Sequence, residues 1–85
     1  MLLENRVAII TGGAKGMGKG MALKLADEGA SIVVADISVN EANDTIAEVR
    51  KKGVQGLAVR CDVTDGEQVK DVVDQTIRQF GKIDI

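Results

Sequence analysis

The sequence predicts an α/β fold in which helices cover both faces of a parallel sheet. Three short apolar runs alternate with three longer amphipathic stretches, and a glycine follows each longer stretch. Continuous apolar runs are typical of parallel strands that are buried on both faces. Helical stretches of roughly 10 to 15 residues between such strands act as crossover connections. We therefore expect three layers in the order βαβαβα, with the strands in one sheet.

The first strand is expected over residues 6–11, which contain the continuous apolar run VAII. A helix should follow from residue 17 to residue 28 and end at Gly29, since glycine is the usual residue after a helix C-terminus. Apolar residues at helical spacing should face the sheet. In this helix they are Met21, Ala22, Leu25 and Ala26.

The second strand is expected over residues 31–36, where the run is again apolar and β-branched. The helix after it should begin at a capping box, in which a Ser or Thr and a Glu three positions later satisfy each other's backbone N–H groups. Ser38 and Glu41 have this spacing, and Gly53 should end the helix.

The third strand is expected over residues 56–61. Thr64 and Glu67 form a second possible capping box, which opens a third helix that extends to about Phe80. Gly81 should end that helix. Phe80, which is the single aromatic residue of the chain, is expected to pack the helix onto the sheet.

A glycine-rich loop, residues 11–18 with the sequence TGGAKGMG, connects the first strand to the first helix. Strand, glycine-rich turn and helix is the arrangement that places a phosphate on the free N–H groups of a helix N-terminus. Gly12 lets the chain turn sharply off the strand. Gly16 and Gly18 remove side chains where a pyrophosphate and the packed strand come close. The alternative is a tight turn without a ligand, because glycine occurs wherever the backbone is strained.

An acidic residue ends the second strand at the spacing that a dinucleotide site requires. Asp36 lies 20 positions after Gly16, and the dinucleotide fingerprint has an acid about 20 positions on. A carboxylate there accepts hydrogen bonds from the 2′- and 3′-hydroxyls of an adenosine ribose and repels a 2′-phosphate. Together, loop and acid predict an NAD(H) site rather than an NADP(H) site. Taken alone, Asp36 is equally well interpreted as a helix cap or a solvated loop acid.

The motif Thr-Gly-x-x-x-Gly-x-Gly resembles the cofactor loop of the short-chain dehydrogenase/reductases, and the resemblance extends over residues 5–85. It implies a Rossmann-type fold, NAD or NADP as cofactor, and the interconversion of alcohols and ketones by hydride transfer, and Asp36 favours NAD. The spacing argues against a flavin- or adenosylmethionine-binding Rossmann protein. The loop residues expected at the cofactor are Thr11, Gly12, Lys15, Gly16, Met17 and Gly18.

The same resemblance implies an adenine pocket. Asp62 would bond the adenine amino group, the Val63 backbone would pair with a ring nitrogen, and Ile37 would pack on an adenine face. The alternative for Asp62 is a turn residue that caps the third strand. A basic residue at the position of Lys15 is a feature of NADP-preferring family members. However, the repulsion between the Asp36 carboxylate and a 2′-phosphate costs more free energy than the attraction of one flexible lysine returns. We therefore interpret Lys15 as a solvated loop cation beside an NAD site.

The resemblance also implies catalytic residues from later in the chain, namely a Tyr as general acid/base, a Lys four residues after it, a Ser that polarises the carbonyl, and an Asn. This sequence has no Tyr. Residues 81–85 resemble the start of the family's fourth strand. We expect residues 1–85 to be an N-terminal NAD-binding Rossmann half-domain, truncated before the fourth strand is complete and without the catalytic half. Alone, the chain should bind cofactor weakly and be inactive. A small alcohol or ketone substrate is expected only for a full-length parent.

Composition excludes several kinds of partner. A net charge of −2 gives no reason to expect nucleic acid or an anionic membrane, and the absence of His removes histidine metal ligands, so no metal site is expected. No apolar run approaches the ~20 residues of a membrane span, and the N-terminus lacks the pattern of a signal peptide. Cys61 is the single cysteine and is expected to be a small buried residue. Its lack of a disulfide partner fits the cytoplasm.

A second interpretation is a non-catalytic nucleotide-binding fragment that self-associates. With residues 83–85 alone in place of a fourth strand, the first strand would have an exposed apolar edge. Exposed edges pair with other strands. We therefore expect a homo-oligomer that forms through this edge.

Overall fold

Three strands alternate with three helices in a computed structural model, which describes residues 2–85. Among these residues, no helix has both the length and the apolar character that crossing a bilayer requires. The elements are β1 (Val7–Thr11), α1 (Gly16–Asp27), β2 (Ser31–Asp36), α2 (Val39–Lys51), β3 (Gly56–Arg60) and α3 (Gly66–Phe80). The expected βαβαβα order is confirmed.

The sheet has β2 at its centre, with β1 and β3 both parallel to it. Side chains of β2 alternate between two cores. Ile32 and Val34 point into a core shared with α1 and α2. Val33 and Ala35 point into a second core, to which α3 contributes Val72 and Phe80. The expected three layers are thus confirmed, and a strand buried on both faces explains the continuous apolar run.

Helix α1 packs closely on the sheet through small side chains. Ala22 and Ala26 are fully buried and Leu25 packs against the same core. The expectation for Met21 is wrong, since its side chain is 52% exposed. At about 100° per residue, Met21 lies at the margin of the strip that contacts the sheet.

The starts of α2 and α3 differ from the expected capping boxes. Ser38 is the N-cap of α2 but its side chain makes no capping hydrogen bond. Its backbone N–H donates to Asp36 (2.9 Å), which holds Ser38 in a turn with ψ at 76° rather than in the extended conformation usual for an N-cap. Helix α3 is capped by Asp65 instead of Thr64, because the Thr64 hydroxyl and N–H both donate to Asp62. Gly29, Gly53 and Gly81 follow the three helices as expected.

Residues 84 and 85 pair with β1 in the parallel sense. The N–H of Ile85 donates to the Val7 carbonyl, and the N–H of Ile9 donates to the Ile85 carbonyl at 3.0 Å. The expectation of an open β1 edge is therefore wrong for its first half. Residues 84 and 85 cover this part of the edge. The hydrogen bonds of Asp84 hold them against β1.

The Asp84 carboxylate accepts a hydrogen bond from the N–H of Val7 at 2.9 Å and lies 3.1 Å from the Lys82 ammonium. Arg6 lies 3.5 Å away on its other side. The Val7 hydrogen bond, followed by Lys82, holds the pKa of Asp84 below its ordinary value. The charged form of Asp84 thus fastens the chain end to β1.

This contact predicts an acid-sensitive contribution to stability. A group whose pKa is lowered by folding stabilises the folded state above its ordinary pKa and loses that effect as the pH falls through the folded-state pKa. As the pH falls from about 7 to about 2, the difference in unfolding free energy between wild type and Asp84→Asn should therefore shrink. Urea titrations at several pH values measure it. Asp74→Asn, at an exposed position of α3, is the control, and an equal pH trend in both variants would contradict the role of Asp84.

Candidate cofactor site

A cleft of about 220 Å³ opens at the carboxyl ends of the three strands. Ligands of open α/β sheets bind at this edge. The lining residues are Gly12, Ala35, Asp36, Ile37, Cys61, Asp62 and Val63. Five of the expected site residues therefore meet in one cleft, although they come from three separate connections in the sequence. The other five, Thr11, Lys15, Gly16, Met17 and Gly18, lie on the adjoining glycine loop and the start of α1.

The glycine loop folds back on itself. Gly12 and Gly16 adopt left-handed φ angles of 68° and 63°, which side chains rarely tolerate. A Cβ on Gly18 would collide with the Gly12 carbonyl, and one on Gly13 would lie 3.0 Å from a Val34 methyl group. The loop thus needs glycine at Gly12 and Gly16 for backbone conformation, and at Gly13 and Gly18 for close packing.

The N-terminus of α1 has free hydrogen-bond donors. The first backbone N–H groups of a helix have no intrahelical acceptor. Lys15 is the N-cap and supplies no side-chain acceptor to them, and the first turn contains no acidic residue. Among residues 2–85, neither the N-cap side chain nor an acid of the first turn occupies these N–H groups. This arrangement suits a phosphate group.

The Asp36 carboxylate joins the loop to the end of β2. One oxygen accepts from the N–H of Ala14 at 3.2 Å, and the other accepts from the N–H of Ser38 at 2.9 Å. A carboxylate has about four acceptor positions, so each oxygen retains capacity for a further donor. The structural interpretation of Asp36 and the ribose-binding one are therefore compatible.

Asp62 forms a tight turn at the far side of the cleft. One oxygen accepts from the hydroxyl of Thr64 at 2.7 Å and from its N–H at 2.9 Å. These hydrogen bonds, the side-chain one first, lower the pKa of Asp62. The backbone N–H of Asp62 donates to Gln68 at 2.8 Å. The result is an ionised acceptor held in place at the cleft, which suits an amino group as donor.

Two apolar side chains stand on the walls of the cleft. Ile37 is 55% exposed and Val63 is 58% exposed. Exposed apolar side chains that line a cleft suit contact with a flat aromatic ring. Cys61 also lines the cleft, is buried as expected, and has a pKa raised by that burial. A thiol with a raised pKa is not an activated nucleophile.

Lys15 and Met17 project outward from the loop. The Lys15 ammonium lies 3.7 Å from a Glu41 oxygen of α2, and both side chains are largely in solvent. An exposed pair of this kind contributes little to stability. Met17 is 84% exposed. Both residues therefore lie at the N-terminal end of α1 rather than in the cleft.

Sequence reasoning did not assign to the site four polar residues that contact the loop or Asp62. Glu41 pairs with Lys15, Gln68 accepts from the N–H of Asp62, and Thr64 bonds the Asp62 carboxylate. The fourth, Thr45, donates from its hydroxyl to the carbonyl of Ala14 at 3.1 Å. Each of them lies on a helix or turn, where polar residues are ordinary, so their spacing carried no signal of a site.

Comparison with known proteins identifies this arrangement. Residues 6–85 match the family of short chain dehydrogenases. The 7alpha-hydroxysteroid dehydrogenase of Escherichia coli is 41% identical over 83 residues, which are 98% of this chain and 32% of that enzyme. This chain thus spans about a third of the length of the curated relatives it matches.

Solved structures agree in fold. The NAD⁺-bound xylitol dehydrogenase superposes with a TM-score of 0.95 at 38% identity, over 99% of this chain and 32% of that one. A short chain dehydrogenase from Mycobacterium paratuberculosis bound to NAD has a TM-score of 0.93 at 31% identity, over 99% of this chain and 36% of that one. The chain therefore belongs to the short-chain dehydrogenase/reductase family and corresponds to the nucleotide-binding region of these oxidoreductases.

Proposed function

We propose that this chain binds NAD(H) and forms the cofactor half of an enzyme that interconverts alcohols and ketones. The observation that carries the proposal is the position of Asp36. Its carboxylate lies in the cleft at the end of β2 and also bonds the glycine loop through Ala14. A ribose held by Asp36 would therefore lie next to a pyrophosphate held by the loop.

The proposed cofactor is NAD(H) rather than NADP(H). A 2′-phosphate would face the Asp36 carboxylate in a partly buried cleft, where like charges repel strongly. Lys15 is the cation that could offset this repulsion, and its ammonium is instead beside Glu41. Two named structural neighbours carry NAD, which supports the same choice.

The adenine ring is proposed to lie between Ile37 and Val63. The free oxygen of Asp62 would accept from the adenine amino group, and the Val63 backbone would pair with a ring nitrogen. The exposure of both apolar side chains supports this placement. Gln68 and Thr64 would hold the Asp62 turn in place.

Hydride transfer itself is the chemistry of the nicotinamide cofactor, and the chain's contribution would be to bind and orient it. The free N–H groups at the start of α1 would hold the pyrophosphate. The sequence has neither Tyr nor His to act as the acid and base. We therefore propose that the 85-residue chain is inactive alone, and that it binds NAD⁺ weakly because it supplies one half of the site.

Self-association through β1 is the alternative function. The hydrogen bonds of residues 84 and 85 to β1 reduce the open edge on which that proposal depends. We therefore favour cofactor binding as the role of this chain. A homo-oligomer remains a proposal, to be tested by light scattering at high protein concentration, where a monomer would contradict it.

Asp36→Ala should remove the preference for NAD⁺. The ratio of the NADP⁺ and NAD⁺ dissociation constants should fall by about tenfold, equivalent to about 1.4 kcal/mol, because the repulsion of the 2′-phosphate and the ribose hydrogen bonds are both lost. Ligand-detected NMR titrations of the chain with the two cofactors measure this ratio. Asp74→Ala, which removes one charge from an exposed position on α3, should leave it unchanged.

The ratio is informative because Asp36→Ala also removes an acceptor from the loop. General loosening of the loop would weaken both cofactors equally and leave the ratio intact. An unchanged ratio would therefore contradict the proposed contact between Asp36 and the ribose.

Gly18→Ala should abolish detectable NAD⁺ binding, because its methyl group would displace the Gly12 carbonyl and open the loop. Gly20→Ala is a matched control in the same helix, since a Cβ there meets nothing within 4 Å. That variant should bind NAD⁺ normally and gain roughly 0.5–1 kcal/mol of stability. Equal NAD⁺ binding by the two variants would contradict the loop geometry.

The purified chain should show no NADH-dependent ketone reduction, since it lacks the tyrosine acid/base. The assay follows NADH absorbance with several small ketones, and a full-length family member assayed with its own substrate is the positive control. Turnover above the rate without protein would show that a different residue supplies the proton.

A further inference from the structure

We propose that Thr45 of α2 is a positioning residue for the cofactor loop. The inference rests on the proposed function, in which residues 11–18 bind the pyrophosphate of NAD. Thr45 lies in the helix after β2, 27 positions beyond Gly18, and it has no place in the glycine motif. Its hydroxyl nevertheless contacts the centre of the loop.

Thr45 is completely buried, and its hydroxyl donates to the carbonyl of Ala14 at 3.1 Å. The N–H of the same alanine donates to Asp36 at 3.2 Å. Ala14 is thus held on both sides, through its N–H by the end of β2 and through its carbonyl by α2. With Ala14 fixed in this way, the loop has little freedom between the left-handed residues Gly12 and Gly16.

The carbonyl of Ala14 and the N–H of Lys15 belong to one peptide group. In a trans peptide these two groups point in opposite directions, and residues 2–85 contain no cis peptide. When Thr45 holds the carbonyl, the Lys15 N–H is turned away from α2. This peptide immediately precedes the first turn of α1, so Thr45 sets the orientation in which that turn begins.

The hydroxyl of Thr45 is not explained by helix packing. A buried threonine in a helix commonly bonds the carbonyl four residues earlier, as Thr76 does with Val72 at 2.7 Å. Thr45 instead bonds a residue that is 31 positions away. The other buried residues of α2 are Ala42, Ile46 and Val49. A valine would therefore fill the position of Thr45 equally well and lack the contact with the loop.

The test compares Thr45→Val, Thr45→Ser and Thr76→Val. The first keeps the shape and removes the hydroxyl, the second keeps the hydroxyl, and the third makes the same change at an equally buried threonine of α3. The probes are ADP, which carries the pyrophosphate, and adenosine, which does not. Both are titrated by ligand-detected NMR, and the folded state of each variant is checked by its amide spectrum.

Thr45→Val should raise the dissociation constant of ADP by about tenfold, which is the effect expected for an unpaired buried carbonyl. The dissociation constant of adenosine should stay within about twofold of the wild-type value. Thr45→Ser and Thr76→Val should bind ADP within about threefold of wild type. If Thr45→Val lost affinity for ADP and adenosine equally, the inference would be overturned, because general destabilisation acts on both probes. A similar loss of ADP affinity in Thr76→Val would also overturn it.

Amide hydrogen exchange without ligand is the second measurement. The Ala14 N–H should exchange about tenfold faster in Thr45→Val than in wild type, with no such change in Thr45→Ser or Thr76→Val. Unchanged exchange at Ala14 would overturn the inference. A folded wild-type chain that binds neither ADP nor adenosine would overturn the proposed function, while the exchange rates would still decide whether Thr45 holds the loop.

Discussion

The hydrogen bonds of the Asp36 carboxylate connect the parts of this molecule on which the site depends. One oxygen fixes the glycine loop through Ala14, and the other fixes the start of α2 through Ser38. The carboxylate can do this because β2 is the central strand and is fully buried along its middle. Asp36 therefore ends a buried strand at the edge of the sheet where the glycine loop and the connections after β2 and β3 meet. A residue that binds ribose in the proposed function also maintains the shape of the cleft.

The small side chains of α1 and the glycines of the loop serve one geometric requirement. The helix must lie close enough to the sheet for its N-terminus to reach the strand ends. Ala22 and Ala26 permit that approach along the helix, and Gly18 permits it at the first turn. Helix α2 also contacts the loop, because the Thr45 hydroxyl donates to the Ala14 carbonyl. The glycine loop is therefore held by β2, α1 and α2.

The last residues of the chain show how the sheet extends beyond β1. Asp84 satisfies the N–H of Val7 with its side chain, while Ile85 bonds β1 through its backbone. The Val7 hydrogen bond, followed by Lys82, lowers the pKa of that carboxyl. These contacts pair residues 84 and 85 with β1 in the parallel sense. Parallel pairing is therefore present on both edges of β1.

The sequence by itself determined the fold class, the strands to within a residue, and the positions of the glycine loop and Asp36 at the strand ends, because continuous apolar runs and glycine spacing are local patterns with direct physical causes. The sequence also predicted that Cys61 is buried. The tertiary structure alone decided that Asp65 rather than Thr64 caps α3, that Met21 is exposed, and that Thr45 and Gln68 form hydrogen bonds with Ala14 and Asp62. Each of these depends on which groups compete for one hydrogen bond, or on how closely two elements approach. Residues far apart in the chain make those contacts, and no spacing within a single element encodes them.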